Sequence, residues 1–291
     1  MKVGLVLGGG GSRGLAHIGV LKVLVRERIP VDLIVGTSMG GIVGVLFALG
    51  FSPDQLADQM AVLQHEPPIN LKRLSARSRQ RMVRHLLSEA LNGKTFADLK
   101  IPTTVMAVDM VQGQEVALNE GPLMPAVLAT TAVPVIFPPV ELNGMQLADG
   151  GVIDSLATHV AFEQGADRVI AVDIEPPLEK DNPWVDPISA ITGFQLPVLS
   201  QARDKLFGSD ESPQTPNVLA SMWRVARVMA WHIHRERLLA HPPDILLRPK
   251  VEHYGSLDFR DVRGILQAGT AEAERHLAEL KALAGKKQKS C

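Results

Sequence analysis

Apolar and polar positions along the chain switch between short continuous runs and helical spacing, and the switches mark the elements. Val3 to Leu7 is a short apolar run that predicts a strand. Leu15, Ile18, Leu21 and Val25 then share one face of a helix that carries Lys22, Arg26 and Arg28 elsewhere. Leu33 to Gly50 is apolar throughout and broken only at Gly36-Thr37-Ser38-Met39-Gly40, which reads as strand, sharp turn and helix. Ser52 or Asp54 caps a further helix from Asp54 to Leu63. Thr103 to Val108 predicts a buried strand with Glu115 to Leu118 as its hairpin partner, and Leu123 to Thr131 predicts a helix. The prolines of Val133-Pro134-Val135-Ile136-Phe137-Pro138-Pro139 predict extended backbone. Met145 to Ala148 and Arg168 to Ile174 predict strands on either side of a helix from Ser155 to Glu163. Val218 to Leu239 predicts a long helix with Leu219, Met222, Val225, Met229 and Ile233 on an apolar stripe. Asp244 to Leu247 follows as a late strand, Phe259 to Leu283 as a closing amphipathic helix, and Lys286 to Cys291 as a frayed tail. Strands alternating with helices in this way predict an α/β fold.

Composition narrows the function classes. The 291 residues suffice for one large α/β domain or two small ones, and 46% hydrophobic with 21% charged residues is ordinary for a soluble protein. One Tyr, three Trp and eight Phe are too few for a stacking platform, and a net charge of −1 exerts no global pull on polyanions, so nucleic acid is not an expected partner. The single cysteine, Cys291, supplies neither a disulfide framework nor a thiolate metal site. No His-x-x-x-His pair with an acid is present, so no metal is expected either. Lys2 precedes a short strand and then glycines, not the long apolar core of a signal peptide. Only Leu33–Gly50 has the length of a membrane span, and no basic cluster flanks it closely. A soluble, cytoplasmic protein is expected.

The first strand ends in Gly8-Gly9-Gly10-Gly11-Ser12-Arg13-Gly14 and a helix follows, an order that turns backbone N–H groups toward an anion. Gly9-x-Gly11-x-x-Gly14 also fits a dinucleotide fingerprint, but that fold needs an acid ending the second strand. Here the second strand ends Val35-Gly36-Thr37-Ser38, and Asp32 begins it instead. No Gly-Lys-Ser/Thr follows for a phosphate loop of the ATPase kind. An alternative anion is the oxyanion of an ester under attack, stabilised by backbone donors as its charge develops.

Gly36-Thr37-Ser38-Met39-Gly40 fits a nucleophile elbow, in which glycines leave room for a strained turn that exposes the serine hydroxyl. Parallel neighbouring strands would place Gly8–Gly11 and Ser38 at the same carboxyl edge of the sheet. A serine there needs a base, and Asp149-Gly150-Gly151 at the end of a later strand is suited to supply one, although an acid before two glycines also makes a plain turn. Asp109 and Asp173 also follow apolar runs but lack the glycine pair. From Pro67 to Ser88 six cations (Lys72, Arg73, Arg77, Arg79, Arg81, Arg84) occur without an acid, as a solvated helix face or as a surface for anionic head groups.

Together these loops resemble the patatin-like phospholipase family, whose pattern is a glycine-rich loop followed by Arg or Lys, then G-x-S-x-G, then Asp-Gly-Gly or Asp-Gly-Ala. The resemblance extends from Val3 to about Asp173 and is loose beyond it; Gly8 departs from the Asp of plant members. It implies a three-layer αβα fold with a mostly parallel central sheet, of the FabD/lysophospholipase-like type. The chain then reads as a single domain, 1–291, with core motifs in 3–173, a surface excursion or lid in 175–217, and a C-terminal helical portion in 218–285. In that excursion Trp184 and Phe194 read as buried side chains, with contact to lipid as the alternative. The resemblance also implies a lipid acyl hydrolase with a Ser38–Asp149 dyad and an oxyanion hole in Gly9, Gly10, Gly11, Ser12, Arg13 and Gly14, Arg13 ordering the loop. Gly36 and Gly40 shape the elbow, Gly150 and Gly151 the dyad loop, and no cofactor is required. The implied partners are a phospholipid or other acyl ester, with peripheral contact to a membrane. The rival enzyme is an α/β-hydrolase with a Ser-Asp-His triad, for which His159, His232, His234, His241 and His253 all follow Asp149. His232 and His234 sit on a helix and read as surface or packing groups. A non-catalytic nucleotide-binding or regulatory scaffold is the alternative from another class.

Overall fold

The structure, a computed structural model, describes residues 1–64, 75–178 and 218–288. Expectations for Lys72, Arg73, Trp184, Phe194, most of the 175–217 excursion and the end of the tail lie outside the described residues. The chain builds β1 (Val3–Leu7), α1 (Ala16–Arg26), β2 (Leu33–Thr37), α2 (Met39–Leu49), α3 (Pro53–Ala61) and α4 (Ala76–Leu91). Next come β3 (Thr103–Asp109), β4 (Gln114–Leu118), α5 (Leu123–Thr130), β5 (Val140–Leu142), β6 (Met145–Asp149), α6 (Thr158–Glu163) and β7 (Arg168–Val172). The described chain closes with α7 (Val218–Ala240), β8 (Ile245–Leu247), α8 (Val262–Arg275) and α9 (Leu277–Gln288).

The strands form one sheet in the order β5-β6-β3-β2-β1-β7-β8, with β4 also on β3. The run β3-β2-β1-β7-β8 is parallel, while β4 and β6 pair antiparallel with β3. Side chains alternate between the two faces as strand geometry requires. Leu5, Leu7, Ile34, Val105, Ile170 and Val172 join the larger core with α1, α2, α3, α5 and α8. Val6, Val35, Met106, Val169 and Ala171 join the smaller core under α6, with Leu238 of α7 packed against it. This is an α/β fold of three layers, αβα, around a mostly parallel sheet. Helices α1 and α8 meet backbone to backbone: a Cβ on Gly269 would lie 1.9 Å from the Ala16 carbonyl oxygen.

Ser52 caps α3 in a reciprocal capping box with Gln55. The expected closing helix is two helices, α8 and α9, that meet at His276. Leu33–Gly50 is a strand and a separate 11-residue helix, and no helix among the described residues is long and apolar enough to cross a membrane.

Val133–Phe137 is a turn, not an extended segment: the Ile136 and Phe137 N–H groups both donate to the Val133 carbonyl, at 3.1 and 2.9 Å. Val135 takes a φ of 72° there and stands 94% exposed. Arg79 explains the turn. It is buried, unlike a solvated cation, and its Nε donates to the Ile136 carbonyl at 2.8 Å. The apolar stripe of α7 also behaves unexpectedly, because Met222, Val225 and Met229 face outward at 64%, 58% and 58% exposure. The inner face of that helix is polar instead, with Arg227 paired to Glu175, His234 to Asp173, and Arg237 to Glu115 and Asp154.

Candidate active site

Ser38 occupies the junction between β2 and α2 with φ 55° and ψ −121°. Such a conformation is strained for a residue with a side chain and persists only where its surroundings enforce it. Three of them do. A Cβ on Gly40 would lie 2.1 Å from the Leu7 carbonyl oxygen, so only glycine lets α2 start this close to β1. A Cβ on Gly36 would meet the Gly40 oxygen at 2.6 Å. The Ser38 N–H donates to Thr130 Oγ1 at 2.9 Å, and that hydroxyl donates onward to the Met106 carbonyl at 2.5 Å.

Asp149 arrives from the other direction. Thr37 pairs with Met106 across β2 and β3, and the next β3 residue, Ala107, pairs with Asp149 of antiparallel β6. Serine and aspartate are therefore brought to the same level of one strand. The Asp149 carboxyl interacts with the Ser38 side chain, and the Gly151 N–H donates to its Oδ1 at 2.8 Å. Burial pushes the carboxyl from its ordinary 3.8 up to about 6, against the Ser38 side chain and the Gly151 N–H, which lower it. A Cβ on Gly150 would lie 2.7 Å from the Met106 carbonyl oxygen, which explains the first glycine after the acid.

The glycine loop lies against the elbow, since a Cβ on Gly9 would come within 3.3 Å of the Ser38 Cβ. Its six expected donors are not equivalent. The Gly9 N–H donates to the Ser155 carbonyl and the Ser12 N–H to the Ser256 carbonyl, each at 2.8 Å. Arg13 and Gly14 lie inside the 3₁₀ turn Gly11–Leu15. Gly10 and Gly11 are left with N–H groups that have no protein acceptor among the described residues. The Arg13 side chain is buried and ties the loop down, donating to the Gly10 carbonyl at 3.2 Å and to Ser256 Oγ at 2.6 Å. Beneath it, His17 Nε2 donates to the Gly8 carbonyl at 2.8 Å. Burial lowers that imidazole to about 4, so it is neutral.

Asp32, at the amino end of β2, accepts from the Val3 N–H at 2.8 Å, far along the strand from the glycine loop. The rival acids are engaged elsewhere: Asp109 accepts from the Val111 N–H, and Asp173 from Arg248 and His234. His234 is no surface group, being buried between Ser155 and Asp173. His159 faces Glu115 and Asp154, His241 packs on His159, and His253 on Tyr254. Among the described residues no histidine hydrogen-bonds Ser38 or Asp149. Also among the described residues, no group of three His, Cys, Asp or Glu side chains could hold a metal ion. Thr130 was not singled out by spacing, because it reaches Ser38 across 92 positions, and His17 follows the glycine loop without a motif of its own.

A strained serine at the carboxyl end of β2, with a buried carboxylate beside it, sits in a three-layer α/β protein with a mostly parallel sheet. The chain belongs to the patatin-like phospholipase family, whose profile matches residues 5–162. It is 27% identical over 286 residues to Lysophospholipase NTE1 of Kluyveromyces lactis, covering 96% of this chain and 19% of that protein. An uncharacterised NTE family protein of Mycobacterium bovis is 34% identical over 177 residues, covering 60% of this chain and 49% of that one. The crystal structure of VipD from Legionella pneumophila is 16% identical with a TM-score of 0.44, covering 95% of this chain and 75% of that one. The chain spans about a fifth of the length of the lysophospholipases it matches.

Proposed function

We propose that this chain hydrolyses lipid acyl esters through a covalent acyl-enzyme, with Ser38 as nucleophile and Asp149 as proton acceptor. The observation that carries this is the placement of the buried Asp149 carboxyl against the strained Ser38, with burial raising that carboxyl's pKa to about 6. Ionised at neutral pH yet more basic than an ordinary carboxylate, Asp149 is tuned toward the operating range of a general base. Ser38 Oγ attacks the ester carbonyl carbon while its proton passes to Asp149. The carbonyl oxygen, now negative, accepts from the N–H groups of Gly10 and Gly11. The carbon–oxygen bond to the alcohol then breaks, and Asp149 returns the proton to the departing alkoxide. A water molecule repeats the sequence on the acyl-enzyme, giving its proton to Asp149 and releasing the fatty acid.

An apolar cavity of about 430 Å³ supports a long acyl substrate. Met39, the residue after Ser38, lines it together with Ile42, Met60, Leu63 and Leu87. A lysophospholipid is the substrate class favoured, since the Kluyveromyces lactis relative is a lysophospholipase and the cavity suits a single acyl chain. Peripheral contact with a membrane is part of the same proposal. Arg77, Arg81 and Arg84 share one face of α4, and the outward apolar face of α7 is suited to a lipid surface. Residues 1–291 act as one catalytic unit, supported by β8 extending the sheet and α8 packing on α1.

The test is hydrolysis of lysophosphatidylcholine by the wild type beside Ser38→Ala and Asp149→Asn. Each variant is expected to lose at least about 10³-fold in kcat. Turnover retained by Ser38→Ala would refute the assignment.

A further inference from the structure

The glycine loop leans on a second serine, histidine and aspartate that the mechanism above does not use. The Gly9 N–H donates to the Ser155 carbonyl at 2.8 Å. The hydroxyl of that same serine lies 3.2 Å from His234 Nδ1, and His234 Nε2 lies 3.3 Å from Asp173 Oδ2. Arg248 Nε donates to the same oxygen at 3.1 Å, and the Glu175 N–H donates to Oδ1 at 3.1 Å. Ser155, His234 and Asp173 are all buried. The chain of contacts joins the turn before α6, the residue after β7, and the polar inner face of α7 to the loop.

This is not a second hydrolytic centre. Ser155 is covered, and its carbonyl is occupied in holding the loop. We propose that His234, fixed by Asp173, is a positioning residue: it locks Ser155, whose carbonyl sets the Gly9–Gly11 loop over Ser38. The proposal rests on the reading that Gly10 and Gly11 receive the oxyanion.

The imidazole makes this lock sensitive to protons. A charged ring donates from both nitrogens, to Asp173 and to Ser155 Oγ; a neutral ring donates from one and must accept on the other. Loss of the proton therefore reverses the Ser155 hydroxyl and removes the ion pair with Asp173. Around His234 stand Asp173, Glu175 and Asp154, with Arg248 on Asp173, Arg227 on Glu175 and Arg237 on Asp154. His159 of α6 also faces Asp154, and neutral His17 of α1 lies near Asp173. Burial alone would lower the His234 pKa, but the hydrogen bond and charge of Asp173, with Glu175 and Asp154, outweigh it and hold it above 6.5. Activity should then rise as Asp149 ionises near pH 6 and fall again as His234 loses its proton at higher pH.

The experiment measures kcat and KM for a short p-nitrophenyl ester from about pH 5 to about pH 9, in the wild type, His234→Gln and Ser155→Ala. The expected wild-type profile is bell-shaped. His234→Gln should lose about tenfold to about a hundredfold in kcat with KM nearly unchanged. It should also lose the descending limb while keeping the rise near pH 6. Ser155→Ala removes only one oxygen, so it serves if His234→Gln does not fold, and it should lose the same limb. Wild-type kcat at every pH in either folded variant, or a uniform loss with the bell intact, would overturn the proposal. Amide exchange at Gly9 gives a readout independent of turnover. It should accelerate in His234→Gln, and unchanged exchange refutes the lock even if the chain proves to have no Ser38-dependent esterase activity.

Discussion

The buried Asp149 carboxyl lies against the buried Ser38 side chain, and the two residues reach each other because β2 and β6 both pair with β3 at consecutive register positions. Both partners are held at a cost. Ser38 carries a positive φ, and Asp149 carries an ionised group where burial favours the neutral one. Strain and desolvation concentrated on two touching residues are the marks of a reactive site.

Asp149→Asn should therefore abolish turnover and stabilise the protein. The folded-state pKa of about 6 lies above the ordinary 3.8 of an unfolded chain, so ionisation opposes folding. That penalty is absent below the unfolded value, grows as pH rises between the two, and is complete above the folded value, where it amounts to about 3 kcal/mol. Thermal unfolding should show Asp149→Asn more stable than the wild type at about pH 8, with the advantage shrinking toward about pH 4. A variant less stable at both would contradict the buried-carboxylate account.

Thr130→Val tests the elbow. The substitution keeps the shape but leaves the Ser38 N–H and the Met106 carbonyl without the hydroxyl that joins them. A loss of about 1–3 kcal/mol in denaturant unfolding is expected, with a fall in kcat and little change in KM. Thr130→Ser should restore both.

Leu63→Trp would fill part of the cavity beside Met39. Preference among acyl esters should shift toward shorter chains, by about fourfold in kcat/KM for each methylene no longer accommodated. An unchanged chain-length profile would separate this cavity from the substrate.

Vesicle sedimentation tests the surface assigned to lipid. Reversing Arg77, Arg81 and Arg84 to Glu should weaken binding to anionic vesicles at low salt, while Met222→Asp should weaken binding even when charge is screened. Binding indifferent to both would remove the membrane contact.

The three loops that make the site were readable because each is a local pattern: a glycine run after a strand, a serine between glycines, an acid before two glycines. Parallel pairing of β1 with β2 followed from the single helix between them. What the residues alone did not reveal is non-local. Thr130 supports Ser38 across 92 positions, and His234 reaches Ser155 across 79. The Val133–Phe137 turn was hidden by its prolines, because the Arg79 side chain that pins it comes from α4. The stripe on α7 looked like a core face by periodicity, but the polar face of that helix is the one satisfied by partners inside the protein. Of the six loop residues expected to receive an oxyanion, only hydrogen-bond partners separate Gly10 and Gly11 from the rest.

The central claim, that Ser38 is a nucleophile activated by Asp149, is tested most directly by covalent labelling with an activated fluorophosphonate followed by peptide mapping. Label should fall on Ser38 alone, at a rate that rises through about pH 6 and collapses in Asp149→Asn. Label on another serine, or labelling of Ser38 at an undiminished rate in Asp149→Asn, would contradict it.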